Sequence, residues 1–284
     1  MKKLYHIIFP AVLLIASYGA SAQTAKSLFF KTDSLQVLEI VSETADRCAD
    51  VGHDGPAVEN SHMALSIAFN DTGAIDLYSK NGRGMELERY YWYPSAEMQE
   101  TADAGRDAFI EGETLGLGGI ALWDGEKQIR LQATSGRTAR VGDTKKGTYA
   151  EMISYGVPYM GQMLDISVRI DVQDKSREAV VTVTELAGRK VQFLTGICCH
   201  SGQKVTVDDS HISVWGDHPG DDVQMPVGAG LRFSKKDFPT QMKSDDMMMI
   251  VSRPLPQVRT VIVGASVKEA ELNNAKRFEA YMSK

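Results

Sequence analysis

The chain has 284 residues, 43% of them hydrophobic and 24% charged, with a formal net charge of −6. That is enough apolar material for a folded core, and it excludes an intrinsically disordered chain. The acidic balance argues against nucleic acid and anionic membrane as partners.

The first element is a leader. Lys2 and Lys3, an apolar stretch from Ile7 to Tyr18, and the small residues Ala20, Ser21 and Ala22 before Gln23 have the layout of a secretory signal peptide. The stretch is too short for a membrane span, and no cysteine follows the cut to carry a lipid. Residues 1–22 are expected to be removed, and 23–284 to form one exported domain, periplasmic or extracellular, with no membrane insertion. Losing Lys2 and Lys3 takes the charge from −6 to −8.

Three cysteines remain: Cys48, Cys198 and Cys199. A bond between the last two is disfavoured, because neighbouring α-carbons lie about 3.8 Å apart and disulfides want about 4.4–6.8 Å. Pairing of Cys48 stays open. Stability is expected from a core rather than a disulfide scaffold.

Along the mature chain, His53 and His62 bracket "HDGPAVENSH", a Gly- and Pro-containing loop of the kind that presents functional groups. "MALSIAFN" and "AIDLYS" then read as short strands. In "ERYYWYPSAEMQ", Tyr91 and Tyr93 would face one way on a strand, Tyr90 and Trp92 the other. One such face suits the apolar faces of sugars, while plain core packing accounts for the rings equally well. Residues 95–109 fit a short helix or an ordered loop. In "GETLGLGGIALWDGEK" the glycines lack the Gly-Lys-Ser/Thr of a phosphate loop and precede a strand, so no nucleotide cofactor is expected. Gly116, Gly118 and Gly119 are read instead as sharp turns or close backbone approaches.

The clearest element is "MLDISVRIDV" (163–172). Leu164, Ile166, Val168, Ile170 and Val172 share one face, and after the turn "QDKS" the strand "REAVVTVTEL" returns. "GICCHSG" ends a further strand and places Cys198 and His200 on one face, Cys199 on the other. "KVTV", "HISVW", "MMMIVS" and "VRTVIVGA" complete the strand signals, and His218 follows in "WGDHPGD". Ser266 and Glu269 form a capping box before a C-terminal helix with an apolar face of Leu272, Ala275, Phe278 and Met282. The fold class is all-β: a large antiparallel β-sandwich with a short C-terminal helix.

Five histidines follow the leader, and their spacing matches no standard structural zinc pattern. Folding them together could bind a divalent metal or supply an acid or base. The doublets Asp208-Asp209, Asp221-Asp222 and Asp245-Asp246 read as solvated turns, since neighbours on a strand point apart.

The blocks "GHDGPAVENSHMALSIAFNDTGAIDLYSK", "GETLGLGGIALWDGEK", "AEMISYGVPYMGQMLDISVRIDV", "VQFLTGICCH" and "VWGDHPGDD" resemble domain-of-unknown-function family 4861, exported proteins associated with glycan utilisation. The resemblance implies a large β-sandwich and a pectin-type, uronate-containing glycan as partner. In the pattern of that family, His53, Asp54, Gly55 and Pro56 fall in a His-rich Gly-Pro motif, Glu59 and Asn60 in its Glu-Asn step, Asp76 and Lys80 in "IDLYSK", Trp92, Tyr93 and Pro94 in a Trp-Tyr-Pro element, and His200 and His218 at the two later histidine positions. The chain departs at Cys198 and Cys199, where the family pattern has Asn-Tyr, so a tyrosine proton donor there would be missing.

Two mechanisms fit such a substrate. In β-elimination, His200 or His53 is the base, Tyr91 or Tyr93 the acid, and Arg83 or Lys80 the carboxylate clamp, with Trp92, His218 and Asp76 lining the sugar site. Hydrolysis would use carboxylates such as Asp76 and Glu86. A non-catalytic glycan-binding module is the third reading. The sequence leaves the oligomeric state open.

Overall fold

The structure is a computed structural model that describes residues 24–82, 84–87, 89, 97–98, 104–219 and 225–284. Its backbone is a nine-stranded antiparallel sheet in the spatial order β13 (Lys204–Val207), β14 (His211–Gly216), β15 (Val227–Arg232), β18 (Gln257–Ser266), β11 (Glu178–Glu185), β10 (Gln162–Gln173), β9 (Gly147–Tyr159), β8 (Arg137–Thr144) and β2 (Glu39–Ser42). The alternation read from the sequence fixes its register. Val168 lies opposite Val183 and Met152, and Ile170 opposite Val181 and Ala150, all buried. A slip of one residue would turn this whole row into water.

Two smaller sheets cover that row. One runs β1 (Thr24–Ser27), β3 (Ala57–Asn60), β4 (Met63–Ile67), β5 (Ile75–Ser79). The other runs β16 (Thr240–Lys243), β17 (Met247–Val251), β12 (Phe193–Cys198), β6 (Leu117–Trp123), β7 (Gln128–Ile129). A parallel bridge between Ile75 and Gly116 joins them into one layer. Gly116 makes the seam possible: its φ is +64°, and a β-carbon there would sit 2.2 Å from the Ile75 carbonyl oxygen. The layer packs on β9 and β10 through β3, and on β14, β15 and β18 through β6 and β12. A single apolar cluster draws on every sheet, including Leu65, Leu77, Phe193, Ile197, Ile166 and Ile262. At about 25 cal/mol per Å² of apolar surface, this burial is the main stabilising contribution. The fold is a large antiparallel β-sandwich.

The C-terminal helix (Ala275–Met282) covers the opposite face of the nine-stranded sheet. Leu272, Phe278 and Met282 pack there with Val263, Ala265 and Trp215, and Gly230 leaves room: a β-carbon would lie 2.5 Å from the Met282 sulfur. The expected capping box does not start this helix. Ser266 is the last residue of β18 and Glu269 is bound to Arg177, while the cap is Asn274, whose side chain accepts from the Arg277 N–H at 3.0 Å. Strand pairing of Ser266 with Val227 outweighs the local capping signal. Among the described residues no helix is long and apolar enough to cross a membrane.

Candidate functional site

At one end of the covering layer, β4 finishes at Ile67, β5 and β6 begin at Ile75 and Leu117, and β12 finishes at Cys198 beside Met247. The Cys198 N–H donates to the Gly116 carbonyl at 2.9 Å, so this strand end is pinned to the seam. The chain then leaves the sheet and presents His200. A second loop, after β14, presents His218.

Both histidines and Cys198 converge on one backbone group, the Ile110 carbonyl. The Cys198 thiol donates to it at 3.7 Å, and His200 Nε2 and His218 Nδ1 each lie 3.3 Å from it. The two imidazoles stand edge to face with centroids 4.9 Å apart, and Phe109 packs on His218 at 4.6 Å. Gln203 ties the loops together: its side-chain oxygen accepts from the His200 N–H at 2.7 Å and its amide donates to the Asp217 carbonyl at 2.9 Å. A cleft of about 420 Å³ opens here, lined by His200, Ser201, Gly202, Asp217, His218 and Pro219.

Electrostatics set the protonation states. Burial pulls His218 down to about 4, so its ring is neutral at ordinary pH. Burial, then the charge of Glu111, holds the Cys198 thiol well above its usual range. Glu111 adjoins Ile110 in the chain. Burial, followed by repulsion from Asp76 and Asp107, pushes it up to about 8. A half-buried, proton-holding carboxyl one residue from the carbonyl that both imidazoles meet is an acid–base arrangement. Cys198, His200 and His218 also form a metal-capable group among the described residues, their ligand atoms all within 4.8 Å of one another.

Over residues 16–284 the sequence matches the family described as "Domain of unknown function (DUF4861)". The chain belongs to that family. No curated protein matches it. Among solved structures it is similar to a 4-alpha-glucanotransferase from Thermococcus litoralis (11% identity, TM-score 0.35), covering 75% of this chain and 39% of that one. It is also similar to a putative aldose 1-epimerase from Klebsiella pneumoniae subsp. pneumoniae MGH 78578 (6% identity, TM-score 0.38), covering 92% of this chain and 94% of that one. The chain thus spans well under half the length of the glucanotransferase.

Within this DUF4861 chain the residues singled out from sequence fall in different places. His200 and His218 come together with Cys198, although the strand ends at Cys198 and the loop beyond it, rather than strand alternation, places His200. His53 is buried edge-on to Phe29 at 5.5 Å, in a turn where it and Asp54 both take the left-handed φ of 55°. Burial brings it down to about 4. Asp76, half-buried on β5, belongs to the acidic group around Glu111. Lys80 is buried, its ammonium 2.5 Å from Glu59 and 2.8 Å from the Asn60 carbonyl, so its charge is held inside the fold. Glu86 accepts from the Tyr78 hydroxyl and the Gly105 N–H, both at 2.8 Å. Tyr91, Trp92, Tyr93 and Arg83 lie outside the described residues. Sequence reasoning missed Glu111 and the Ile110 carbonyl. Both sit on a connecting segment without periodicity, and no spacing signal marks them.

Proposed function

We propose that the protein is an exported, single-domain carbohydrate-active enzyme that works on uronate-containing, pectin-type glycan by β-elimination. The observation that carries the reading is the meeting of Cys198, His200 and His218 on the Ile110 carbonyl, one residue from the Glu111–Asp76 carboxyl pair.

Elimination needs a base for the C5 proton, an acid for the leaving oxygen, and a group that neutralises the uronate carboxylate. Glu111 keeps its proton near neutral pH and is the acid. Asp76, the charge that raises Glu111, is the base. As Asp76 takes the C5 proton, the electron pair forms the C4–C5 double bond, the C4–O bond breaks, and the leaving oxygen takes the Glu111 proton. Proton abstraction passes from the histidines to Asp76 in this account, because both rings are turned onto Ile110. The histidine wall faces the carboxylate.

The carboxyl pair also favours a second reading. Two acids whose environments push their affinities for the proton apart are the equipment of glycoside hydrolysis. Incubation with pectin fractions separates the cases. Elimination yields new ultraviolet absorbance from unsaturated uronate together with reducing ends, hydrolysis yields reducing ends alone, and binding without either defines a non-catalytic module. Export is tested on protein recovered from outside the cytoplasm, whose first residue is expected to be Gln23.

A further inference from the structure

The charges of Asp76 and Asp107 act on Glu111, one residue from the Ile110 carbonyl that the histidine wall meets, so a sugar carboxylate held there calls for a source of positive charge. The side chains on the histidine wall are themselves the donors that a transition-metal ion requires.

Three features converge. Cys198, His200 and His218 bring one sulfur and two imidazole nitrogens within 4.8 Å of one another. Thiolate and imidazole are ligands of zinc, cobalt and copper, not of calcium or magnesium. His218 is 3% exposed, and its Nε2 is buried with no hydrogen-bond partner among the described residues. Such an atom costs about 1–3 kcal/mol if left unsatisfied. His218 Nδ1 lies 3.2 Å from the Ile110 N–H, from which it can accept, and 3.3 Å from the Ile110 carbonyl, to which it can donate. The tautomer that donates leaves a lone pair on Nε2, and these backbone contacts hold the ring as outer partners hold metal-bound histidines. Finally, His200 and His218 sit on loops beyond the strand ends. Closing to the separations of about 3.3–3.8 Å that tetrahedral ligation at about 2.0–2.3 Å implies moves loops rather than sheet.

We propose that Cys198, His200 and His218 bind one zinc-type divalent ion, with its remaining position open to the cleft. Its role in holding a uronate carboxylate rests on the glycan reading; its existence does not.

The test is cobalt titration of the full chain after chelation and dialysis. One equivalent of Co²⁺ should produce a sulfur-to-cobalt charge-transfer band in the near ultraviolet, displaced by Zn²⁺. Cys198→Ser should abolish the band, and His200→Ala should weaken cobalt binding at least about tenfold, the scale seen when a metal site loses even a supporting partner. Cys199→Ser and Cys48→Ser should keep the band. No band in the wild-type chain, a band surviving in Cys198→Ser, or one lost only in Cys199→Ser or Cys48→Ser overturns the proposal. Circular dichroism shows whether each variant is folded, and the wild-type titration decides even if Cys198→Ser is not. No glycan is present, so failure here leaves the glycan assay standing, and failure of that assay leaves the cobalt result standing.

Discussion

His200 and His218 stand edge to face at 4.9 Å on loops that follow two strands of different sheets, β12 and β14. Neither strand touches the other through backbone pairing. The sandwich alone brings the two rings together, so the site depends on how the covering layer is seated.

The seam comes first. Gly116→Ala puts a side chain where φ is +64° and where the β-carbon would meet the Ile75 carbonyl at 2.2 Å. A loss of about 2–4 kcal/mol is expected from strain and displaced pairing, read by urea unfolding. A variant as stable as the parent would show that the two covering sheets do not need this approach.

Lys80 and Glu59 form a buried ion pair at 2.5 Å, with Glu59 also accepting the Glu86 and Leu87 N–H groups. Lys80→Met leaves the Glu59 carboxyl buried without its ion partner, a loss of about 3–5 kcal/mol. Turnover per folded molecule should hold. A stable variant that has lost substrate affinity would return Lys80 to the glycan-clamping role read from sequence.

Stability should fall as the medium is acidified. His53 has its affinity for the proton lowered by burial, from an ordinary 6.5 to about 4. A histidine depressed in the folded state contributes fully above pH 6.5, and its contribution is lost as pH falls from there toward 4. One such group corresponds to about 3 kcal/mol. Unfolding free energy of the chelated protein, followed across that window, should show a shallower slope in His53→Gln. An unchanged slope would place the acid sensitivity elsewhere, with His218 the next group to test.

Most of the fold was legible because period-two alternation needs no partner to be read. The face shared by Ile166, Val168 and Ile170 follows from the residues themselves. Two things were not legible. Ser266 and Glu269 carry a strong local capping pattern, yet β15 pairs with Ser266 and Arg177 takes Glu269, both by contacts distant in sequence. Glu111 owes its character to burial and to Asp76 and Asp107, which reach it only after folding. Histidines announce themselves by rarity, whereas a carboxyl made acidic-group-like or proton-holding by its surroundings does not.

Proton transfer to and from a uronate glycan is proposed for the histidine loops and the Glu111 and Asp76 carboxyls near them. The most direct measurement is the initial rate of ultraviolet absorbance gain on pectin fractions, compared among wild type, Glu111→Gln and His200→Ala at matched folded concentration. Absorbance gain is expected in the wild type, with a fall of about 10²–10⁴-fold in Glu111→Gln, the usual range for losing a general acid, and strong impairment in His200→Ala. Wild-type turnover that persists undiminished in both variants would contradict the proposal.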